Sequence, residues 1–241
     1  MTGAAMGVAM PPRYGRKRSG INGVGTLGAS WRRALAMLVL AVAPIAASVQ
    51  AEPRIVVLGD SLTAGYGLEV ADSFPAQLEA ALRAAGLAAQ VLNAGVSGDT
   101  TAGGLARLAW VLGESPERLP SHVIIALGAN DAMRGLEPSA AAANLSAIVT
   151  ELKARRVKVL LAGMRAPPNL GARYVAEFDA IYPRLAAAHQ VPLYPFFLDG
   201  VGGEPGLNQP DGIHPTAAGV AEMVRRILPT LRAWLADEAP P

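Results

Sequence analysis

The sequence predicts a single α/β domain, a three-layer α/β/α sandwich on a five-stranded parallel sheet. Three observations carry this. Short, nearly continuous apolar runs alternate with longer stretches of helical periodicity, the pattern of strands buried on both faces and joined by crossover helices. Of 241 residues, 51% are hydrophobic and 17% charged, enough for one sizeable core and too apolar for a disordered chain. The 26 Gly and 19 Pro are too many for a coiled coil, and after Glu52 no linker, repeat or low-complexity tract interrupts the alternation.

The elements follow in order. A first strand over 54–58 leads to a helix over 74–85, which Ser73 is placed to cap and Gly86 to end. A strand over 89–92 precedes a helix over 101–112. The third strand, 122–127, is followed by a helix over 138–155 with Pro138 in its first turn. A fourth strand over 157–161 leads to a helix over 173–189, where Pro183 should introduce a kink. The last strand, 192–194, is separated from a helix over 215–236 by the stretch 199–209, whose four glycines read as a surface loop. Pro215 suits the first turn of that final helix.

The net charge of +2 divides unevenly. Residues 1–51 carry Arg13, Arg16, Lys17, Arg18, Arg32 and Arg33 with no acid, and so contribute +6, leaving −4 for the rest. Nucleic-acid binding by the body thereby loses its electrostatic basis. Residues 34–47 are apolar, and the segment ends in Val49-Gln50-Ala51. Basic residues, a short apolar run and a small-x-small exit predict a secretory signal peptide over 1–51, cleaved after Ala51. The run is shorter than the roughly 20 residues that span a bilayer, so no stable membrane anchor is expected after cleavage. The region before Arg32 is long for a signal, which points to a downstream start such as Met10. Arg32-Arg33 lacks the flanks of a twin-arginine signal. The expectation is a periplasmic or secreted single domain over 52–241, a monomer. Gly23-Val24-Gly25-Thr26-Leu27-Gly28 matches a dinucleotide-binding string but has no strand before it, so no cofactor is assigned to it.

In a parallel sheet of this kind, ligands bind beyond the carboxyl ends of the strands. Ser61 follows the first strand, in Gly59-Asp60-Ser61-Leu62; Gly95 follows the second; Asn130 follows the third, in Gly128-Ala129-Asn130-Asp131. Asp211 and His214 share the loop before the last helix. A serine hydroxyl needs a base to become a nucleophile, and His214 can serve. An aspartate three residues earlier can fix the tautomer of that imidazole and stabilise the imidazolium. The Ser61 N–H, the Gly95 N–H and the Asn130 side-chain amide are candidate donors to an oxyanion; losing one such donor typically costs 10²–10³ in turnover. No G-x-S-x-G elbow surrounds Ser61.

These blocks resemble the GDSL family of serine hydrolases, within the SGNH hydrolase superfamily. Ser61, Gly95, Asn130 and His214 stand in the order of its four named residues. Met164-Arg165-Ala166-Pro167-Pro168-Asn169, Phe178-Asp179-Ala180-Ile181-Tyr182-Pro183 and Val191-Pro192-Leu193-Tyr194-Pro195-Phe196-Phe197 look like its periplasmic arylesterase/acyl thioesterase/lysophospholipase branch. The resemblance implies a flavodoxin-like sheet, a catalytic triad of Ser61, His214 and Asp211, and an oxyanion hole that includes the Ser61 N–H. It implies no metal or organic cofactor, and a structural or positioning role for Asp60. The expected reaction is acyl transfer from a small-molecule ester or thioester through an acyl-enzyme. The expected substrate groove is shallow and walled by residues 133–136 and 164–170. A carbohydrate O-acetyl esterase with the same triad is an alternative, and a non-catalytic exported binding module is the alternative from another class.

The remaining candidates have plainer readings. His122 begins a buried strand and His189 ends a helix, so both are read as structural. Arg165 is read equally as a substrate contact or a partner of a carbonyl. Asn144-Leu145-Ser146 fits a glycosylation acceptor but falls inside a predicted helix. Asp60, Asp99 and Asp131 sit in three separate loops, each with a local turn or cap role, so no metal site is assigned. With no cysteine and three histidines, disulfides, thiolate metal sites, a cysteine nucleophile and a histidine-rich metal cluster are excluded or disfavoured.

Overall fold

A computed structural model describes residues 52–113, 115 and 118–236. The described residues lie within one compact unit that begins at Gln50. The expected signal segment, and the glycine string at 23–28 inside it, lie outside them.

Five parallel strands form the sheet: β1 (Arg54–Gly59), β2 (Gln90–Gly95), β3 (His122–Ala126), β4 (Lys158–Ala162) and β5 (Leu193–Tyr194), in the order β2-β1-β3-β4-β5. The β-branched and leucine-rich runs read from the sequence are the interior of this sheet. β3 is buried throughout, and β1 and β4 are buried beyond their first residues. Burying one such side chain stabilises the fold by about 1.5–3 kcal/mol. β2, at the edge, buries only Val91.

The helices are α1 (Ser61–Ala64), α2 (Phe74–Ala84), α3 (Thr101–Ala106), α4 (Leu108–Leu112), α5 (Ala129–Met133), α6 (Pro138–Ala154), α7 (Ala172–Asp179), α8 (Ile181–His189) and α9 (Ala217–Ala236). α2 packs on α9; α6 packs on α3 and on α8. These two groups flank the sheet and complete the expected three layers.

Several boundaries differ from the sequence reading. The helix expected over 101–112 divides at Arg107 into α3 and α4. The helix expected over 173–189 divides at Ala180, ahead of Pro183. Proline has no N–H for the Asp179 carbonyl four residues back and its ring crowds that carbonyl, so the chain starts a new helix with Pro183 in its first turn. Ser73 stands at the start of α2 but its hydroxyl makes no cap; it donates to the Val70 carbonyl at 2.7 Å. Gly86 does end α2: at φ +78° it gives its N–H to Arg83, and the Leu87 N–H reaches Leu82, a Schellman turn. Pro215 precedes α9 instead of opening it, and pairs as an isolated bridge with Asn208. Thr216 caps α9, its hydroxyl accepting the Gly219 N–H at 3.2 Å.

The strand order places the chain's reversal at β1, with β2 on one side and β3 on the other. In such sheets the crevice for a ligand opens at that point, beyond the carboxyl ends.

Candidate active site

Ser61 is the first residue of α1, directly beyond β1. The turn that presents it is held by Asp60, whose Oδ1 accepts the Leu62 N–H at 3.0 Å. Gly59 is required there, because a Cβ would stand 2.0 Å from Thr63 Oγ1 and 3.0 Å from the Ala126 carbonyl. Gly65 closes α1 in the left-handed region and returns its N–H to Ser61.

His214 arrives from the loop before α9. Its Nε2 lies 2.9 Å from Ser61 Oγ and its Nδ1 lies 2.7 Å from Asp211 Oδ2. Asp211 Oδ1 also accepts the Ile213 and His214 N–H groups, each at 3.0 Å. The hydrogen bond from the His214 side chain, then those backbone donors, hold the Asp211 carboxyl down to about 2. With Nδ1–H donated to this carboxylate, Nε2 presents a lone pair to the serine hydroxyl. That arrangement is chemically able to abstract the hydroxyl proton.

Asn130 lies in α5, which follows β3 after Gly128, a residue at φ +118°. Its Nδ2 donates to the Asp99 carbonyl at 3.0 Å and faces Asp60 Oδ2 at 3.3 Å. Asp60 is fully buried, and burial pushes its carboxyl up to about 6 against the opposing hydrogen bonds from Leu62 and Asn130.

The structure thus brings Ser61, Asn130, Asp211 and His214 together. It does not bring Gly95 in as expected. The Gly95 N–H goes to Asn93 Oδ1 at 2.9 Å, and the residue does not line the cleft. Its glycine identity answers to packing: a Cβ would meet Ala64 N at 2.4 Å and the Asp60 carbonyl at 2.8 Å. Gly98, three residues on, does line the cleft, at φ +82°. Among the described residues its N–H has no acceptor. Both glycines stand in one short run, and only the backbone path separates their roles.

The cleft has a volume of about 580 Å³. Ser61, Asn130 and His214 line it, and Met133 and residues 165–168 contribute to its walls, as expected. Met164 is buried in the core, and Leu136 and Leu170 do not line the cleft. Phe196, Leu198, Gly202 and Gly203 do, so the glycine-rich stretch read as a surface loop also forms part of the cleft.

Three contributors escaped the sequence reading. Tyr66 sets its ring 4.5 Å from the His214 ring. Gln209 Nε2 donates to the Tyr66 carbonyl at 2.7 Å and the Pro215 carbonyl at 2.9 Å, while its N–H meets the His214 carbonyl at 2.7 Å. Arg107 binds Asp99 Oδ2 at 2.6 Å and the Gly59 carbonyl at 3.0 Å. No sequence signal marks them, since glutamine, tyrosine and arginine are common and the residue order does not name their partners.

The plainer readings also resolve. His122 is buried edge-on to Trp234, with Nδ1 2.8 Å from Ser121 Oγ. His189 Nε2 lies 2.8 Å from Ser146 Oγ. Asn144, inside α6, donates to Thr101 Oγ1. Asp131 belongs to α5 rather than a loop, and its carboxylate receives the Thr101 N–H and hydroxyl at 2.8 and 2.6 Å, fastening the start of α3. Asp99 is paired with Arg107.

Residues 57–221 match the profile of the GDSL-like Lipase/Acylhydrolase family. The chain is 42% identical over 185 residues to esterase TesA of Pseudomonas aeruginosa, covering 77% of this chain and 90% of that one. It is 38% identical over 191 residues to thioesterase 1/protease 1/lysophospholipase L1 of Escherichia coli, covering 79% and 85%. The crystal structure of AlinE4, an SGNH-hydrolase family esterase, matches with a TM-score of 0.65 at 49% identity over 80% of this chain and all of that one.

Proposed function

The chain belongs to the GDSL-like lipase/acylhydrolase family and is an ester-hydrolysing enzyme, and from that premise we propose that it is an exported serine esterase working through an acyl-enzyme. His214 Nε2 takes the proton of Ser61 as its Oγ attacks the ester carbonyl. Asp211 stabilises the imidazolium that forms. The oxyanion is met by the Ser61 N–H, by Asn130 and, in place of Gly95, by the Gly98 N–H. His214 then gives its proton to the departing alcohol or thiol. Water, deprotonated by the same imidazole, releases the acid and restores Ser61.

The observation that carries this reading is the continuous chain Asp211–His214–Ser61, with contacts of 2.7 and 2.9 Å. Apolar walls from Met133, Phe196, Leu198 and Ile213 favour aryl and acyl esters, including acyl thioesters and lysophospholipids, over an acetylated sugar. A fluorophosphonate should label Ser61, and Ser61→Ala should abolish hydrolysis of p-nitrophenyl esters with the fold intact. Turnover retained by the pure variant would refute the assignment. Export rests on the basic-then-apolar segment 1–51. Amino-terminal sequencing of the exported protein should read from Glu52; a chain retained in the cytoplasm with its leader intact would remove that part of the proposal.

A further inference from the structure

We infer that Arg165 makes the cleft selective for esters that carry an anionic group, a carboxylate or a phosphate; this deepens the esterase reading and rests on it. Arg165 is exposed at the cleft wall, and among the described residues it forms no ion pair and no hydrogen bond. Asp179, whose Oδ1 accepts the neighbouring Ala166 N–H at 2.9 Å, forms no ion pair with Arg165 among the described residues. The acid in the cleft wall, Asp60, is buried and bonded to Leu62 and Asn130. The arginine's mounting is rigid. Gly163 exchanges hydrogen bonds of 2.8 Å with Tyr194 and Phe197, Met164 is buried, and a Cβ on Gly163 would strike the Pro195 carbonyl at 2.3 Å. The guanidinium rests on the Phe196 ring, 4.6 Å from its centroid. A planar fork of donors, stacked on an aromatic ring and free of any protein anion, is prepared for a bidentate anion at little ordering cost.

The test uses two substrate pairs, each an anionic ester and a neutral one. One places the anion on the acyl side, the p-nitrophenyl monoester of adipic acid against p-nitrophenyl hexanoate. The other places it on the alcohol side, lysophosphatidylglycerol against a monoacylglycerol. In Arg165→Gln the ratio of kcat/KM for anionic over neutral ester should fall about five- to tenfold in at least one pair. The pair affected tells which side the anion occupies, and Arg165→Lys should keep part of the ratio. Unchanged ratios in both pairs would overturn the inference. If the wild-type protein hydrolyses none of the four, the esterase reading fails by itself. Calorimetry of decanoate binding to Ser61→Ala protein then reads the anion site directly: adding Arg165→Gln should weaken it by the same factor, and equal affinity would sink it.

Discussion

Asp60 is the site side chain whose carboxyl pKa is raised by burial. Its burial raises the carboxyl from the ordinary 3.8 to about 6. The folded protein therefore keeps a proton that the unfolded chain has released, and this group's contribution to stability falls as pH rises from about 4 to about 6. Asp60→Asn should remove that fall. In urea titrations the variant's stability should change between those pH values more favourably than the wild type's, by about 1–3 kcal/mol. Parallel slopes would show that the buried carboxyl does not titrate there. Asp211 acts in the opposite sense and in another window. Its lowered pKa adds stability that is present above 3.8 and lost as pH falls towards about 2. The two aspartates are nearly indistinguishable as letters; their surroundings make one a buried anchor for Asn130 and the other the partner of an imidazole.

The break between α3 and α4 has a use beyond ending a helix. Arg107, at that break, ties the Gly59 carbonyl at the end of β1 to the Asp99 carboxylate beyond β2, and the Asp99 carbonyl in turn holds Asn130 beyond β3. Both members of the ion pair are mostly buried, at 17% and 14% exposure. Removing the cation leaves Asp99 desolvated and unpaired. Arg107 is thus a positioning residue for three strand-end loops. Arg107→Ala should lower kcat on p-nitrophenyl butyrate by about 10- to 100-fold while changing KM far less. Arg107→Lys should recover part of kcat, and Asp99→Asn, which removes the same bond from the other side, should act in the same direction. A folded Arg107→Ala protein with wild-type kcat would reduce the network to a structural fastening. None of this was legible in the chain, where a helical pattern runs unbroken across 101–112. The break at Ala180 was half legible: Pro183 announced a disturbance, but the chain resolved it before the proline by starting a second helix.

Across the molecule, the alternation of apolar strands and helices was legible because burial on both faces leaves a strand few polar positions. The parallel order β2-β1-β3-β4-β5 then gathers loops from positions near 61, 98, 130 and 214 at one end of the sheet. Ser61, Asn130, Asp211 and His214 could be named in advance because their chemistry resides in their side chains and each follows a strand or precedes a helix. Gly98 could not be told from Gly95 because the relevant group is a backbone N–H, which every residue but proline owns; which one stays unpaired depends on where the neighbouring loop turns. Gln209, Tyr66 and Arg107 stayed hidden for a related reason: each works on a partner brought close by long-range packing, Gln209 on Tyr66, Tyr66 on His214 and Arg107 on the Gly59 carbonyl. Periodicity and reactive side chains are local properties and are written in the residue order. Which donors remain free, and which ordinary residues hold the reactive ones in place, are properties of the assembled neighbourhood, and they come into being only when the sheet closes its loops together.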